Sequence, residues 1–219
     1  MLGLSGKIAV ISLSISMIIV SLSYAGQIGN FETISPEDAK FSSEKLEAVG
    51  QYLEQNGSAA FLGLYDGKVF FSWGEINTKY PVHSIRKAYM NALYGIYIEK
   101  GKIDLNKTLK DLAINDIEPV LTDKEKTASV LDLIQSRSGV YHAAAAEAAS
   151  MIQDRPERDS HAPGSFFYYN NWDFNTLGAI FEQETGKTIF EAFHKDVAVP
   201  LGMKHFKGSH EKNVQLQKL

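Results

Sequence analysis

The chain has 219 residues, a net charge of −4 and no cysteine. The missing cysteine excludes a disulfide scaffold, a thiol nucleophile and thiolate metal sites. The mild acidity leaves no electrostatic footprint for nucleic acid. With 44% hydrophobic and 22% charged residues, the composition is that of a folded chain rather than a disordered one.

Lys7 precedes an apolar stretch over residues 8–22, and Ser23-Tyr24-Ala25 offers small residues at the positions a signal peptidase reads. This predicts a removable leader over 1–25 and an exported, periplasmic or secreted protein. The alternative is an uncleaved anchor. The apolar stretch is shorter than the ~20 residues a spanning helix needs and is interrupted by four serines. No membrane association is therefore expected after cleavage.

Residues 26–41 are polar and contain Pro36, and read as a linker. Ser42-Ser43 opens a helix whose Leu46, Val49 and Leu53 share one face, ending at Asn56-Gly57. Residues 59–65 and 68–73 are apolar strand-like runs around Asp66-Gly67, the pair that a two-residue hairpin turn demands. Residues 84–100 form the strongest helix. Ile85, Ala88, Tyr89, Ala92, Leu93 and Ile96 make its expected core stripe, and Gly101 its stop. Residues 104–112 suggest a turn with a short helix, and 129–135 a further helix. Residues 143–149 favour helix, 155–164 a loop, and 175–185 and 188–198 two more helices. The order is an α+β layout. The apolar hairpin implies further strands, yet no convincing strand follows Trp73.

Ser84 and Lys87 are the first candidates for chemistry. A serine hydroxyl is a poor nucleophile until a base takes its proton. Positions i and i+3 of a helix share a face, so Lys87 comes within reach of Ser84. Burial near the helix start would disfavour the charged lysine, making it a candidate base, and nearby backbone N–H groups would help hold an oxyanion. The S-x-x-K pattern alone is weak. It recurs at Ser42/Lys45 and Ser209/Lys212, where a solvated lysine one turn after a capping serine is the better reading. The second candidate is Tyr169-Asn170-Asn171, a phenol and an amide on a loop that could serve the Ser/Lys pair. Tyr168/Asn170 and Tyr89/Asn91 fit the same pattern.

The wider string Pro163-Gly164-Ser165-Phe166-Phe167-Tyr168-Tyr169-Asn170-Asn171, then Leu177-Gly178, Thr185-Gly186 and Pro200-Leu201-Gly202-Met203, resembles the serine β-lactamase-like superfamily. The relevant branch holds class C β-lactamases, penicillin-binding carboxypeptidases and related esterases and amide hydrolases. Matching the gaps puts the branch's Tyr and Asn on Tyr169 and Asn171. Its S-x-x-K falls on Ser84/Lys87, followed by Gly101-Lys102-Ile103-Asp104-Leu105. The segment Leu133-Ile134-Gln135-Ser136-Arg137-Ser138-Gly139-Val140 also resembles a family motif, with Gln135 or Ser136 where a histidine is common. That departure is shared with esterase-like and amide-hydrolase members.

The resemblance implies a β-lactamase/transpeptidase-like fold, with a helical region packed on an antiparallel sheet of which only the N-terminal hairpin is present. It implies a serine hydrolase working through an acyl-enzyme on an ester, amide or β-lactam bond of a small-molecule or peptide substrate, with no cofactor and no metal. Ser84 would be the nucleophile and Lys87 its base, Tyr169 would shuttle protons, and Asn171 would bind substrate or orient Lys87. The family's third motif, K-T-G or H-x-G, has no match after Met203, and Lys207-Gly208-Ser209 only faintly resembles it. Residues 42–219 are accordingly expected to be a partial hydrolase domain, weakly active or inactive. The alternatives are a non-catalytic relic, or a penicillin-binding protein that acylates without turnover. His83 and His142 read as structural. His161, His194, His205 and His210 show no metal-ligand spacing.

Overall fold

A computed structural model describes residues 27–28, 31–204 and 206. The expected leader lies outside these residues, as do Ser209, Lys212, His205, His210 and the Lys207-Gly208-Ser209 tripeptide. The chain divides into two compact units, Met1–Tyr80 and Pro81–Leu219. The boundary falls inside the segment read from sequence as one domain.

The first unit contains two short antiparallel strands, β1 (Gln27–Ile28) and β2 (Phe31–Glu32), then α1 (Ser43–Gln55) and the hairpin β3 (Ala60–Tyr65) with β4 (Lys68–Gly74). Ser42 caps α1 by accepting the Lys45 N–H, the local role expected of it. Asp66 and Gly67 both take positive φ, 48° and 74°, as a two-residue hairpin turn requires, and Tyr65 pairs with Lys68 across it. At Gly63 an added Cβ would stand only 2.9 Å from the Phe70 ring.

Part of the stretch read as a linker carries structure. Thr33 forms a parallel bridge to Val69, and Ile34 N–H donates to the Val69 carbonyl, so the chain runs along an edge of β4. Ala39 is fully buried with Leu46, Phe70 and Phe71, and Phe41 stacks on Phe70 at 4.2 Å. The β4 edge that looked unpaired from sequence is thus partly satisfied from upstream, not downstream.

The second unit is helical: α2 (Arg86–Glu99), α3 (Val130–Ile134), α4 (Ala149–Gln153), α5 (Asn171–Thr185) and α6 (Ile189–Phe193), the last continuing as a π-helical stretch, His194–Ala198. Its core gathers Leu93, Tyr94, Leu133, Trp172, Ile180 and Phe181. The Tyr94 hydroxyl donates to the Leu177 carbonyl at 2.7 Å, tying α2 to α5.

Four expectations need correcting. Residues 104–112 form turns and a bridge from Thr108 to Ser129, not a short helix. The buried face of α2 is Lys87, Met90, Leu93, Tyr94 and Tyr97, sharing only Leu93 with the expected stripe. Ile85 is 64% and Tyr89 47% exposed. The helix is apolar on two sides, so periodicity alone does not choose between them. Of residues 143–149 only the last is helical; α4 begins at Ala149. The carbonyls of Ala145 and Ala146 instead accept hydrogen bonds from the Asn171 side chain, which takes them out of helical pairing. Finally, α5 starts four residues before the expected 175, because Asn170 caps it by accepting the Asp173 N–H.

Candidate active site

A single 3-10 turn, His83–Ile85, leads directly into α2 and carries Ser84, which is exposed. Lys87 follows at the start of α2 and is buried. A lysine ammonium has three N–H donors and no acceptor. Here Nζ faces three oxygens: Ser84 Oγ at 3.4 Å, Tyr169 Oη at 2.6 Å and Asn171 Oδ1 at 2.8 Å. It also lies 4.2 Å from the Tyr169 ring centre and 4.5 Å from that of Phe174. The four residues expected to form the site therefore meet around one nitrogen, although Ser84 and Asn171 are 87 positions apart in sequence.

The amide of Asn171 has a defined direction. Its Nδ2 donates to the Ala145 and Ala146 carbonyls at 3.2 and 2.8 Å, which turns Oδ1 toward Lys87. Asn171 is the first residue of α5, not a loop residue as expected, so its backbone is fixed by the helix. Tyr169 is part-exposed. Burial works to raise its pKa, but hydrogen bonds from Lys87 and Ser84 and the charges of Lys87 and Arg86 outweigh this and hold the phenol below the usual tyrosine value.

The competing patterns are used elsewhere. The Tyr168 hydroxyl donates to the Met151 carbonyl at 2.6 Å, and Asn170 is committed to capping α5. Tyr89 is exposed and meets Phe193 edge-on at 5.4 Å. Beneath Lys87, between α2, α3 and α5, lies a cavity of about 210 Å3 whose walls include Met90, Ile134, Phe174 and Leu177. Among the described residues, no three histidine or carboxylate side chains gather as metal ligands.

The family model for Beta-lactamase matches residues 47–217, most of the chain. The chain belongs to the Beta-lactamase family. This family member is 26% identical over 198 residues to a D-aminopeptidase of Brucella anthropi, covering 76% of this chain and 36% of the relative. The chain thus spans about a third of the length of the curated relatives it matches. Two solved structures share its fold. A class C β-lactamase in complex with cefoxitin superposes with a TM-score of 0.57 at 18% identity, over 78% of this chain and 52% of the other. SurE with D-Leu does so with a TM-score of 0.50 at 22% identity, over 73% and 40%.

Several residues around the Lys87 cluster were not singled out from sequence. Asp173, fully buried on α5, accepts the Ser138 hydroxyl at 2.6 Å. His142 does prove structural. Its Nδ1 meets Asp116 Oδ2 at 2.8 Å, its Nε2 lies 3.3 Å from Glu125 Oε1, and Arg158 closes the cluster on Glu125 at 2.7 Å. Asp116 also accepts the Trp172 indole N–H at 2.8 Å, steadying the residue next to Asn171. The spacing Asn170-x-x-Asp173 was the available signal, since an Asn followed three residues later by an acid marks a helix start.

Proposed function

We propose that the chain is an exported serine hydrolase that forms an acyl-enzyme at Ser84. The observation that carries this reading is the meeting of Ser84, Tyr169 and Asn171 around Lys87 Nζ. In the proposed reaction, Lys87 acts as the base that takes the Ser84 hydroxyl proton as Oγ attacks the substrate carbonyl. The tetrahedral intermediate then collapses, the bond to the leaving group breaks, and Tyr169 passes the proton to that group. Water next attacks the Ser84 ester by the reverse proton path, releasing the acid and restoring the hydroxyl. Asn171, locked by its two carbonyl acceptors, keeps Lys87 aimed at Ser84 and borders the substrate.

The proposed substrate is a small molecule or peptide with an ester or amide bond. The Gln135/Ser136 departure supports this over a β-lactam, and the likeness to D-aminopeptidases supports a peptide-type amide. The resemblance to penicillin-binding carboxypeptidases supports a second form of the reading, in which acylation outruns hydrolysis.

Burst kinetics with p-nitrophenyl acetate and nitrocefin, on wild type and Ser84→Ala, test the proposal. Turnover that disappears in the variant supports the hydrolase. A stoichiometric burst without turnover supports the slow-deacylating form. Equal release from both proteins sinks the assignment of Ser84. N-terminal sequencing of exported material tests the leader, and an intact Met1 in the membrane fraction would overturn it.

A further inference from the structure

We propose that Asp173 is a positioning residue for this site: by clamping Ser138 it holds the 168–171 segment that offers Tyr169 and Asn171 to Lys87. The proposal rests on the acyl-transfer reading above for what the site does, and on the contacts below for how Asp173 acts.

Asp173 touches neither Ser84 nor Lys87 through any of its hydrogen bonds. Its Oδ1 receives the Ser138 hydroxyl at 2.6 Å, and the same hydroxyl oxygen accepts the Val140 N–H at 3.0 Å. The loop from Ser136 to Val140 is therefore fastened to the first turn of α5. That loop in turn holds the segment entering α5, because the Ser136 carbonyl accepts the Tyr168 N–H at 2.9 Å. From the other side, Asn170 accepts the Asp173 N–H at 2.8 Å and donates to the Tyr168 carbonyl at 2.9 Å. Tyr169 lies between these fastenings and Asn171 directly after them. Room for adjustment is small, since at Gly139 an added Cβ would stand 3.1 Å from the His161 carbonyl oxygen and the Pro163 nitrogen.

The clamp is sensitive to charge. Asp173 is fully buried, and its Oδ2 has no hydrogen-bond partner. Two more buried oxygens, Tyr141 Oη and Thr176 Oγ1, are likewise unpartnered. The groups that act on Asp173 are Ser138 and Asn170, which favour its ionised form, and the carboxylate of Asp132 on α3, which opposes it; Tyr141 feels its charge in return. Burial dominates and pushes the Asp173 carboxyl up to about 7. The neutral carboxyl leaves no buried charge behind. Ionisation strengthens the Ser138 hydrogen bond but leaves a buried charge that its donors do not offset, and this favours opening of the loop to water.

Asp173→Asn retains an acceptor for Ser138 and cannot ionise; Ser138→Ala opens the clamp from the other side. Two readouts are needed. The first is the rate of Ser84 labelling by a fluorophosphonate from about pH 5.5 to 8.5, taken as the ratio of wild type to Asp173→Asn so that titrations common to both cancel. The ratio is expected to fall about threefold or more across neutrality, and the Ser138→Ala and Asp173→Asn effects to be non-additive. The second is the pH titration of the Tyr169 13Cζ resonance, which needs no catalysis. Wild type should show an inflection near neutrality that Asp173→Asn lacks. A flat ratio with an unchanged Tyr169 titration overturns the positioning role. If Ser84 is not labelled even in wild type, the acyl-transfer reading fails, and the Tyr169 titration alone decides the role of Asp173.

Discussion

Lys87 Nζ has three oxygens around it, and each is held there by a different device: Ser84 by the 3-10 turn, Tyr169 by the segment fastened to the Ser136 loop, Asn171 by the start of α5. Asp173 lies two residues beyond Asn171 in the first turn of α5, and its effect on stability runs opposite to that of most carboxylates. Its pKa is raised on folding, from 3.8 to about 7, so the folded state holds the proton more tightly than the unfolded chain. That stability is fully present below the unfolded value and is lost as pH rises through about 7. Asp116 and Glu125 have lowered values, since hydrogen bonds from His142, Trp172 and Arg158 overcome their burial. Their stabilisation is lost instead as pH falls. Comparing wild type with Asp173→Asn removes that background. The melting-temperature advantage of wild type over the variant should shrink steadily between about pH 4 and 7. Parallel curves would mean that Asp173 does not titrate in this range.

At the scale of elements, α5 matters most, because its first turn contains both Asn171 and Asp173. Asn170→Ala removes the cap and leaves the Tyr168 carbonyl without its partner. An N-cap is worth about 1 kcal/mol, and the buried carbonyl adds to that. Urea unfolding should show a loss of about 1–2 kcal/mol, with most of the cap restored by Asn170→Asp. An unchanged midpoint would place the start of the helix elsewhere. The hairpin, α1 and the pairing of Ser84 with Lys87 were legible in sequence because each rests on short-range chemistry: Asp66-Gly67 in the turn, Ser42 at the cap, an i to i+3 step. The Tyr169/Asn171 frame was legible from motif spacing. What was not legible depends on contacts between distant segments. The alanine-rich stretch 143–149 has strong helix propensity, yet Ala145 and Ala146 give their carbonyls to Asn171. Helix α2 has apolar residues on two faces, and only the positions of α5 and α6 decide which face is buried.

At the scale of the whole molecule, two separate apolar clusters hold two units. One is built on Phe70, Phe71 and Leu46, the other on Leu93, Trp172 and Phe181. All four candidate residues belong to the second. That unit also contains the cavity of about 210 Å3 beneath Lys87. The cavity is half open and its walls are mostly apolar, so they stay wet until something covers them. An acyl chain long enough to reach the space beside Lys87 would displace that water. p-Nitrophenyl butyrate should therefore acylate Ser84 faster than p-nitrophenyl acetate, as read from the burst rate. Equal rates would mean that the space takes up no part of the substrate. The lysine at the centre of the site stands at the rim of a wet, apolar hollow.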